Sequence, residues 1–141
     1  MITSNQDNYG YVDGSAVYII EYKGQRFVGE ATCHPDDLDM ESERVGLTIA
    51  EIRASIKVQR FIRDYEVKPQ LKILQHLYSN MKTSKYFNPI SYEAKMVRSQ
   101  IRAIEKELAA INNDIADEQK FLKDYLDGKD KLYKRLRAKS Q

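Results

Sequence analysis

Cysteine is nearly absent from this 141-residue chain, which contains a single one, Cys33. One cysteine cannot form an internal disulfide, and this favours a reducing, intracellular setting. Long hydrophobic runs are also missing, since no stretch approaches the roughly 18 apolar residues of a membrane span. Residues 1–14 lack the basic-then-apolar layout of a signal peptide. We therefore expect no membrane partner, and the length predicts a single domain over residues 1–141.

Glycine-rich phosphate loops are missing as well. The six glycines form neither the Walker nor the Rossmann pattern, so ATP- or NAD-driven chemistry has no support and we expect no cofactor. Structural zinc sites typically need four spaced ligands, and Cys33 with its neighbour His34 falls short of that number. The acids within residues 36–41 lack the loop glycine and the later glutamate of a calcium site. No metal site is predicted.

The stretch "GEATCHPDDLDMESE" (29–43) concentrates a cysteine, a histidine and several acids. Cys33 and His34 are adjacent, so in an extended strand their side chains point to opposite faces and do not form a nucleophile–base pair. A turn at His34-Pro35-Asp36-Asp37 explains the same residues. We interpret the stretch as a corner in the chain and predict no catalytic residues.

Charge is unevenly distributed along the chain, although the net charge is only +2. Residues 1–47 carry three basic residues against nine acids, whereas residues 48–141 carry twenty against twelve. This asymmetry favours an anionic partner bound by the C-terminal part, although charged helices that are merely solvated would show the same composition.

Two runs rich in β-branched and aromatic residues predict a β-hairpin. They are "AVYIIEYK" (16–23) and "QRFVGEATC" (25–33), and Lys23-Gly24 stands where a tight turn is needed. "YGYVD" (9–13) is a candidate third strand. A lone hairpin is marginal in water, so this sheet must pack on helices or on a second subunit.

Helix signals follow the strands. A capping-box pattern, T-I-A-E at 48–51, predicts a helix that begins after Gly46 and runs to about residue 65, where Pro69 stops it. A second helix over residues 69–82 starts with that proline in the favoured first turn. Residues 83–89, "TSKYFNP", are predicted to connect it to the next helix.

A heptad pattern occupies the C-terminal third. A single long helix in a coiled coil with a partner and two antiparallel helices hinged at residues 112–114 are both compatible with it, and Gly128 is predicted to end or bend the helix. We predict an α+β fold: a small N-terminal antiparallel sheet (1–47) packed on helices, a helical middle (48–90) and a long helical or coiled-coil segment (91–141) that mediates homo-oligomerisation. The stripe comprises Val97, Ile101, Ile104, Leu108, Ile111, Ile115, Leu122, Tyr125, Leu132 and Leu136.

Basic and aromatic residues suggest a nucleotide pocket. Arg53, Lys57 and Arg60 share one helix face, and Arg98 and Arg102 share another. Arginine grips phosphate with two parallel hydrogen bonds. Rings to stack on and amides to read a base edge complete the set, while a solvated charged face with core aromatics is the alternative. The rings and amides near these arginines in sequence are Tyr78, Tyr86, Phe87, Tyr92, Asn80 and Asn88.

The segment "YKGQRFVGEATCHPDDLDMESERVGLTIAEIRASIK" (22–57) resembles small phage proteins. They share a glycine-alanine-cysteine corner followed by His or Asn, Pro and an acid, then a Gly and "IAEIRA". The resemblance, over about residues 17–60, is to the Thoeris anti-defence sponge family of bacteriophages. It implies a non-enzymatic protein of the host cytoplasm that binds cyclic ADP-ribose-type immune signals, and in some members cyclic oligonucleotides, without cleaving them.

The resemblance also implies an assembly and a set of site residues. Such proteins form dimers and higher homo-oligomers, with nucleotide sites between protomers. Arg53, in "EIRA", would contact the ligand; Tyr78 would be the stacking ring and Asn88 the base-reading amide. Arg98 and Arg102 resemble an arginine pair used for cyclic oligonucleotides. With Phe87 from the aromatic cluster, these six residues form the predicted ligand site.

Two alternatives from other classes remain open. The basic tail and the heptad stripe are compatible with a protein- or nucleic-acid-binding phage inhibitor, such as an anti-CRISPR factor, although nucleic acid is not the partner we expect. An enzyme that uses Cys33 is the third hypothesis.

Overall fold

The computed structural model describes residues 8–32 and 43–139. Residues 33–42, which hold the predicted corner and the Cys33–His34 pair, lie outside the described residues. The fold is α+β, as predicted, with a three-stranded antiparallel sheet followed by helices. The elements are β1 (Asn8–Val12), β2 (Ser15–Tyr22), β3 (Gln25–Thr32), α1 (Glu43–Ile62), a π-helical segment (Arg63–Val67), α2 (Lys68–Lys82) and α3 (Tyr92–Lys139).

The sheet is a meander joined by two tight turns. Asp13-Gly14 connects β1 to β2 and Lys23-Gly24 connects β2 to β3, and all four residues have positive φ, at 48°, 84°, 49° and 78°. Positive φ at both central residues is the type I′ geometry, whose twist matches that of the flanking strands. The predicted hairpin and its third strand are both confirmed.

One face of the sheet packs against helix. Ala16 of β2 and Ala31 of β3 are buried together with Ile49 and Ala50 of α1. Residue Gly29 permits the close approach, because a Cβ built on it would overlap the carbonyl oxygen of Ala50 and lie 2.6 Å from the backbone nitrogen of Ala54. Leu122, Tyr125 and Leu126 from α3 pack against the same core, with Tyr11, Tyr18, Val45 and Leu47.

Helix α1 begins earlier than the sequence pattern indicated. Glu43 is already helical, so the predicted N-terminal cap at Thr48 is wrong. Thr48 lies inside the helix, where its Oγ1 donates a hydrogen bond to the carbonyl of Arg44 at 2.7 Å. A threonine hydroxyl can bond to the preceding helical turn in this way, so the capping-box spacing alone does not locate a helix start.

Pro69 does not stop the helix, contrary to prediction. The backbone continues from α1 through the π-helical segment Arg63–Val67 into α2, and Pro69 lies in the first turn of α2. The Lys68 amide donates to the carbonyl of Arg63, five residues back. A proline removes one i→i−4 bond and crowds the carbonyl four residues earlier, here that of Tyr65. The wider turn just before Pro69 accommodates both effects.

Helix α3 is continuous from Tyr92 to Lys139. The alternative of two helices hinged at residues 112–114 is therefore wrong, as is the prediction that Gly128 ends the helix. The predicted apolar stripe is partly used within the chain itself, since Ile115 is buried and both Leu122 and Tyr125 pack on the sheet core. Oligomerisation through the stripe stays a prediction.

The chain comprises two compact units. The sheet unit consists of residues 1–59 and 115–141, and the helical unit consists of residues 60–114. Helices α1 and α3 each contribute residues to both units. Within the described residues, no helix combines the length and apolar character that crossing a bilayer requires.

Candidate functional site

The loop at residues 83–91 is ordered by short-range hydrogen bonds. The Thr83 Oγ1 donates to the carbonyl of Asn80 at 2.7 Å, closing the C-terminus of α2. The Asn88 side chain accepts from the Ile90 amide at 3.1 Å, and its carbonyl accepts from the Ser91 amide at 3.0 Å. Ser91 caps α3, because its Oγ accepts from the Ala94 amide at 3.3 Å. The loop therefore presents its side chains from a defined backbone.

Arg98 of α3 holds this loop against α2. Its Nη1 donates to the Tyr78 hydroxyl at 3.0 Å, and its Nη2 donates to the carbonyl of Pro89 at 2.6 Å. The planar guanidinium suits this arrangement, because its fixed fork serves two acceptors at once. We refer to Arg98, Tyr78 and Pro89 as the Arg98 clamp.

The Tyr78 ring is surrounded by an aromatic edge and two cations. Phe87 meets it in a T-shaped arrangement, with centroids 6.0 Å apart and an interplanar angle of 79°. The Lys82 Nζ lies 5.1 Å from the ring centroid, and the Arg98 Cζ lies 5.9 Å from it. Cations over an aromatic face are attracted by the ring quadrupole. The half-buried Tyr78 thus already has neighbours on its ring.

Two more accessible rings are close in sequence to the clamp residues. Tyr86 is 82% exposed and Tyr92 is 72% exposed, and the Lys85 Nζ lies 5.0 Å from the Tyr86 ring centroid. The sequence pattern noted both tyrosines but did not place them in the predicted site, and it missed Lys82 and Lys85 altogether. The tripeptide Lys85-Tyr86-Phe87 was the available signal, since a cation beside consecutive rings is a composition suited to binding phosphate and base together.

The structure brings together some of the predicted site residues. Tyr78 contacts both Phe87 and Arg98, and Asn88 follows Phe87 in the loop. Arg102 follows Arg98 by one helical turn and is exposed. These five belong to the helical unit, whereas Arg53 belongs to the sheet unit. Their roles toward a ligand stay predictions.

Arg53 has a partner within the sheet unit. Its Nη1 donates to the carbonyl of Glu30 at 2.6 Å, and one turn later the Lys57 Nζ donates to the carbonyl of Val28 at 2.6 Å. Both acceptors lie on β3, an edge strand in the order β1-β2-β3. Arg53 and Lys57, on the α1 face predicted to bind phosphate, therefore donate to backbone carbonyls at the outer edge of the sheet.

Two open cavities of about 440 Å³ each lie elsewhere. One, in the sheet unit, lies beside a hydrogen-bonded chain: Gln59 Nε2 donates to Ser55 Oγ, and Ser55 Oγ donates to Glu118 Oε1, both at 3.1 Å. The other lies between α2 and α3 in the helical unit. The linings are Glu51, Ile52, Ser55, Asp117, Glu118 and Phe121 for the first cavity, and Gln70, Ile73, Leu74, Gln100, Ala103 and Ile104 for the second.

Among residues 8–32 and 43–139, no three His, Cys, Asp or Glu side chains are arranged to hold a metal ion.

One ion-pair network has a clear electrostatic effect. The Arg63 guanidinium donates to both oxygens of the Asp64 carboxylate, at 2.8 and 3.4 Å, and Lys68 lies 3.3 Å from the same carboxylate. These contacts, chiefly the Arg63 hydrogen bond, hold the pKa of Asp64 below its usual value, and the hydrogen bond to Asp64 raises the pKa of Arg63. Arg63 Nη1 also donates to Asn112 Oδ1 at 3.3 Å, linking the π-helical segment to α3 within the helical unit.

Comparison with protein-family models, curated protein sequences and solved structures finds no match for this chain.

Proposed function

We propose that this chain binds a cyclic ADP-ribose-type nucleotide signal on the surface formed by the Arg98 clamp, Tyr86, Tyr92 and the neighbouring cations. In this proposal it is a phage anti-defence protein that sequesters the signal in the host cytoplasm without cleaving it. The observation that carries the proposal is the exposed Tyr86 ring beside Lys85 on an ordered loop. The identity of the ligand class rests on the sequence resemblance.

The chemistry of the surface suits a base joined to phosphates. An exposed tyrosine offers a flat face to an adenine ring, and such stacking contributes roughly 1–3 kcal/mol per base. Lys82, Lys85 and Arg102 are exposed and supply positive charge for a pyrophosphate. Hydrogen bonds to charged groups contribute roughly 1.5–3 kcal/mol each. One stacked base and three such hydrogen bonds sum to roughly 5.5–12 kcal/mol, so the ~12 kcal/mol of nanomolar sequestration also requires contacts from a second copy.

Preorganisation supports the same proposal. Binding costs free energy for each side chain or loop that must be ordered. The Arg98 Nη2 bond to Pro89 at 2.6 Å and the Asn88 turn keep the loop folded without a ligand. Arg98 would therefore act mainly by positioning the loop, and Arg102 would contact phosphate directly.

Homo-oligomerisation is part of the proposal. An open surface leaves one side of a bound nucleotide in water, whereas a second copy would enclose it and exclude solvent from the charged contacts. The assembly implied by the resemblance places sites between protomers. Arg53 is retained as a proposed contact on that basis alone.

Calorimetry with cyclic ADP-ribose and its isomers tests the proposal. We expect Tyr86→Ala to weaken binding roughly tenfold or more, whereas Tyr65→Ala, at an exposed tyrosine of the same unit, leaves it within about twofold. We also expect Arg102→Ala to weaken binding roughly tenfold, against little change for Lys106→Ala one turn further along α3. Absence of binding by the wild type would overturn the proposal.

The chemical state of the ligand separates sequestration from catalysis. After heat denaturation of the complex, mass spectrometry should recover the nucleotide unchanged, in an amount equal to that bound. Recovery of a linear or hydrolysed product would favour the enzyme hypothesis instead.

A nucleic-acid-binding role is the second candidate, favoured by one observation. Lys131, Lys134 and Arg135 are exposed along the C-terminal turns of α3. Binding to a nucleic acid duplex through such residues should weaken steeply with salt, with log affinity falling by about 0.9 per phosphate contact for each log unit of salt concentration. A small-nucleotide site should respond far less, so one salt titration discriminates between the two.

A further inference from the structure

The two edge strands of the sheet differ in the hydrogen-bond donors that cover them. The outer carbonyls of β3 at Val28 and Glu30 accept hydrogen bonds from Lys57 and Arg53 of α1. At the opposite edge, β1 has no such cover from the residues that the structure describes. An edge strand with free backbone groups is a template for pairing with another strand.

The turn geometry identifies which groups of β1 point outward. In a two-residue hairpin the residues that flank the turn form a hydrogen-bonded pair, here Val12 with Ser15. Pairing alternates along the strands, so Gly10 also bonds to β2, whereas Tyr9 and Tyr11 direct their N–H and C=O groups away from the sheet. The same rule applied to the β2–β3 turn makes Val28 and Glu30 outward, in agreement with their bonds to α1.

The composition of β1 lacks the features that commonly protect an edge strand. Natural edge strands are commonly blunted by charged residues or proline, and β1, "NYGYV", contains neither. Its side chains are also accessible, with Tyr9 67% and Val12 70% exposed. In addition, a Cβ built on Gly10 meets nothing within 4 Å in the described part of the chain.

We propose that β1 pairs with β1 of a second copy of this chain, antiparallel about a twofold axis, to form a continuous six-stranded sheet. The best register centres on Gly10, so that Tyr9 lies opposite Tyr11 of the partner subunit. The outward groups of these tyrosines then form four backbone hydrogen bonds, two at each of the symmetric pairs. A register centred on Tyr9 or on Tyr11 leaves one of the two outward tyrosines of β1 without a partner within the strand.

A second copy fits this edge for two reasons. A twofold antiparallel contact must be self-complementary, and β1 offers equal numbers of outward donors and acceptors with no charge to face its own copy. The pair that crosses the axis is a non-hydrogen-bonded pair, in which the Cα atoms approach to about 4.5 Å. Glycine at that position brings no side chain into the contact.

Cross-linking of the full-length chain tests the register. Gly10→Cys in a Cys33→Ser background places one thiol per chain on the axis, and copper-phenanthroline with oxygen should convert the protein to a disulfide dimer within minutes. Gln25→Cys in the same background, at an exposed position of the other hairpin, is the matched control and should cross-link at least tenfold more slowly. Equal rates for the two variants would overturn the proposed pairing.

Sedimentation of the uncross-linked protein tests the hydrogen bonds themselves. Tyr9→Pro removes an outward N–H and no bond within the sheet, so it should raise the dimer dissociation constant at least tenfold, with an unchanged circular dichroism spectrum. Tyr9→Thr keeps the N–H and should stay within about threefold of wild type. An assembly that is indifferent to Tyr9→Pro is held by another surface and overturns the proposal.

Deletion of residues 1–7 distinguishes a second copy from the two other possible occupants of the β1 edge, which are the chain's own N-terminal residues and a strand of another protein. We expect a dimer with or without these residues. A wild-type monomer that dimerises only after the deletion would mean that the chain covers its own edge. A monomer in both forms would leave the edge to a foreign strand, and either result contradicts the proposal.

Discussion

Gly29 of β3 lies directly beneath the α1 backbone at Ala50, in a contact that leaves no room for a side chain on the strand. Ala50 and Ala54 on the helix side are fully buried. Three small residues therefore set the distance between the sheet and its helix, and the remainder of the core is built at that spacing.

Gly29→Ala should destabilise the chain more than most single substitutions. The added methyl would overlap the carbonyl oxygen of Ala50, which is backbone and cannot rotate away. Overpacking of this kind commonly costs about 1–3 kcal/mol, and we expect the upper end or beyond. Urea unfolding measures the loss. Gly128→Ala, where the new methyl meets none of the described residues within 4 Å, should not destabilise the chain, and similar losses for the two variants would contradict the packing described here.

Arg53→Ala should lower stability even without a ligand. The substitution removes the hydrogen bond to the carbonyl of Glu30, and we expect a loss of about 1–2 kcal/mol. Hydrogen exchange at the Gly29 amide, which faces β2, should accelerate as the edge strand loosens. The exposed Arg60 provides the control, since Arg60→Ala should be nearly neutral. Any binding defect of Arg53→Ala must be interpreted against this change in the sheet unit.

Arg98→Lys should loosen the loop at residues 83–91 while it keeps the charge. A lysine ammonium cannot reproduce the fork that joins the Tyr78 hydroxyl to the Pro89 carbonyl. We expect faster exchange of the Ile90 and Ser91 amides and nucleotide binding weakened by roughly tenfold. If binding fell while exchange stayed unchanged, Arg98 would be a direct ligand contact rather than a positioning residue.

Gly128→Ala should stabilise the protein. Gly128 is exposed within α3, and a methyl built on it meets none of the described residues within 4 Å. Alanine is favoured over glycine inside a helix by about 0.5–1 kcal/mol. A rise in thermal midpoint is expected, and a fall would mean that the helix does not continue through this position.

Asp64 should titrate below an ordinary aspartate. Its pKa is lowered by the hydrogen bond from Arg63 and by Lys68, so the stabilisation it provides is present above the unfolded-state pKa of about 3.9 and is lost as pH falls through the lower folded-state pKa. Carboxyl NMR titration measures it directly. Arg63→Gln should raise the pKa of Asp64 more than Lys68→Met does, because the Arg63 contact is the larger cause. The reverse order would contradict the assignment.

Local signals in the sequence predicted the local structure well. Gly24, between two β-rich runs, readily adopts the positive φ that the turn requires, whereas Lys23 is held at a φ of 49° by the pairing of the flanking strands. The predictions that proved wrong were made where the same local sequence pattern is compatible with a second structure. Thr48 bonds to the preceding turn as readily as it caps a helix, and Pro69 is tolerated because a π-helical turn precedes it.

The candidate site was only partly predictable for a different reason. The aromatic and arginine content near residues 78–102 indicated the right region, and Tyr78, Phe87 and Arg98 do meet there. The partner of Arg53 is a backbone carbonyl 23 residues earlier in the chain. Every residue carries such a carbonyl, so no residue type marks this acceptor, and only the docking of α1 on the sheet reveals it.

The sheet unit is discontinuous in sequence, and this has a consequence during synthesis. Its strands and α1 leave the ribosome first, but Leu122 and Tyr125, which complete the apolar layer over Ala16, follow only after the 55 residues Arg60–Asp114. At roughly 5–20 residues per second, those 55 residues alone take between about three and eleven seconds, during which that layer is incomplete. Cells translating this chain must therefore keep a partly covered apolar sheet from aggregating before its last helix arrives.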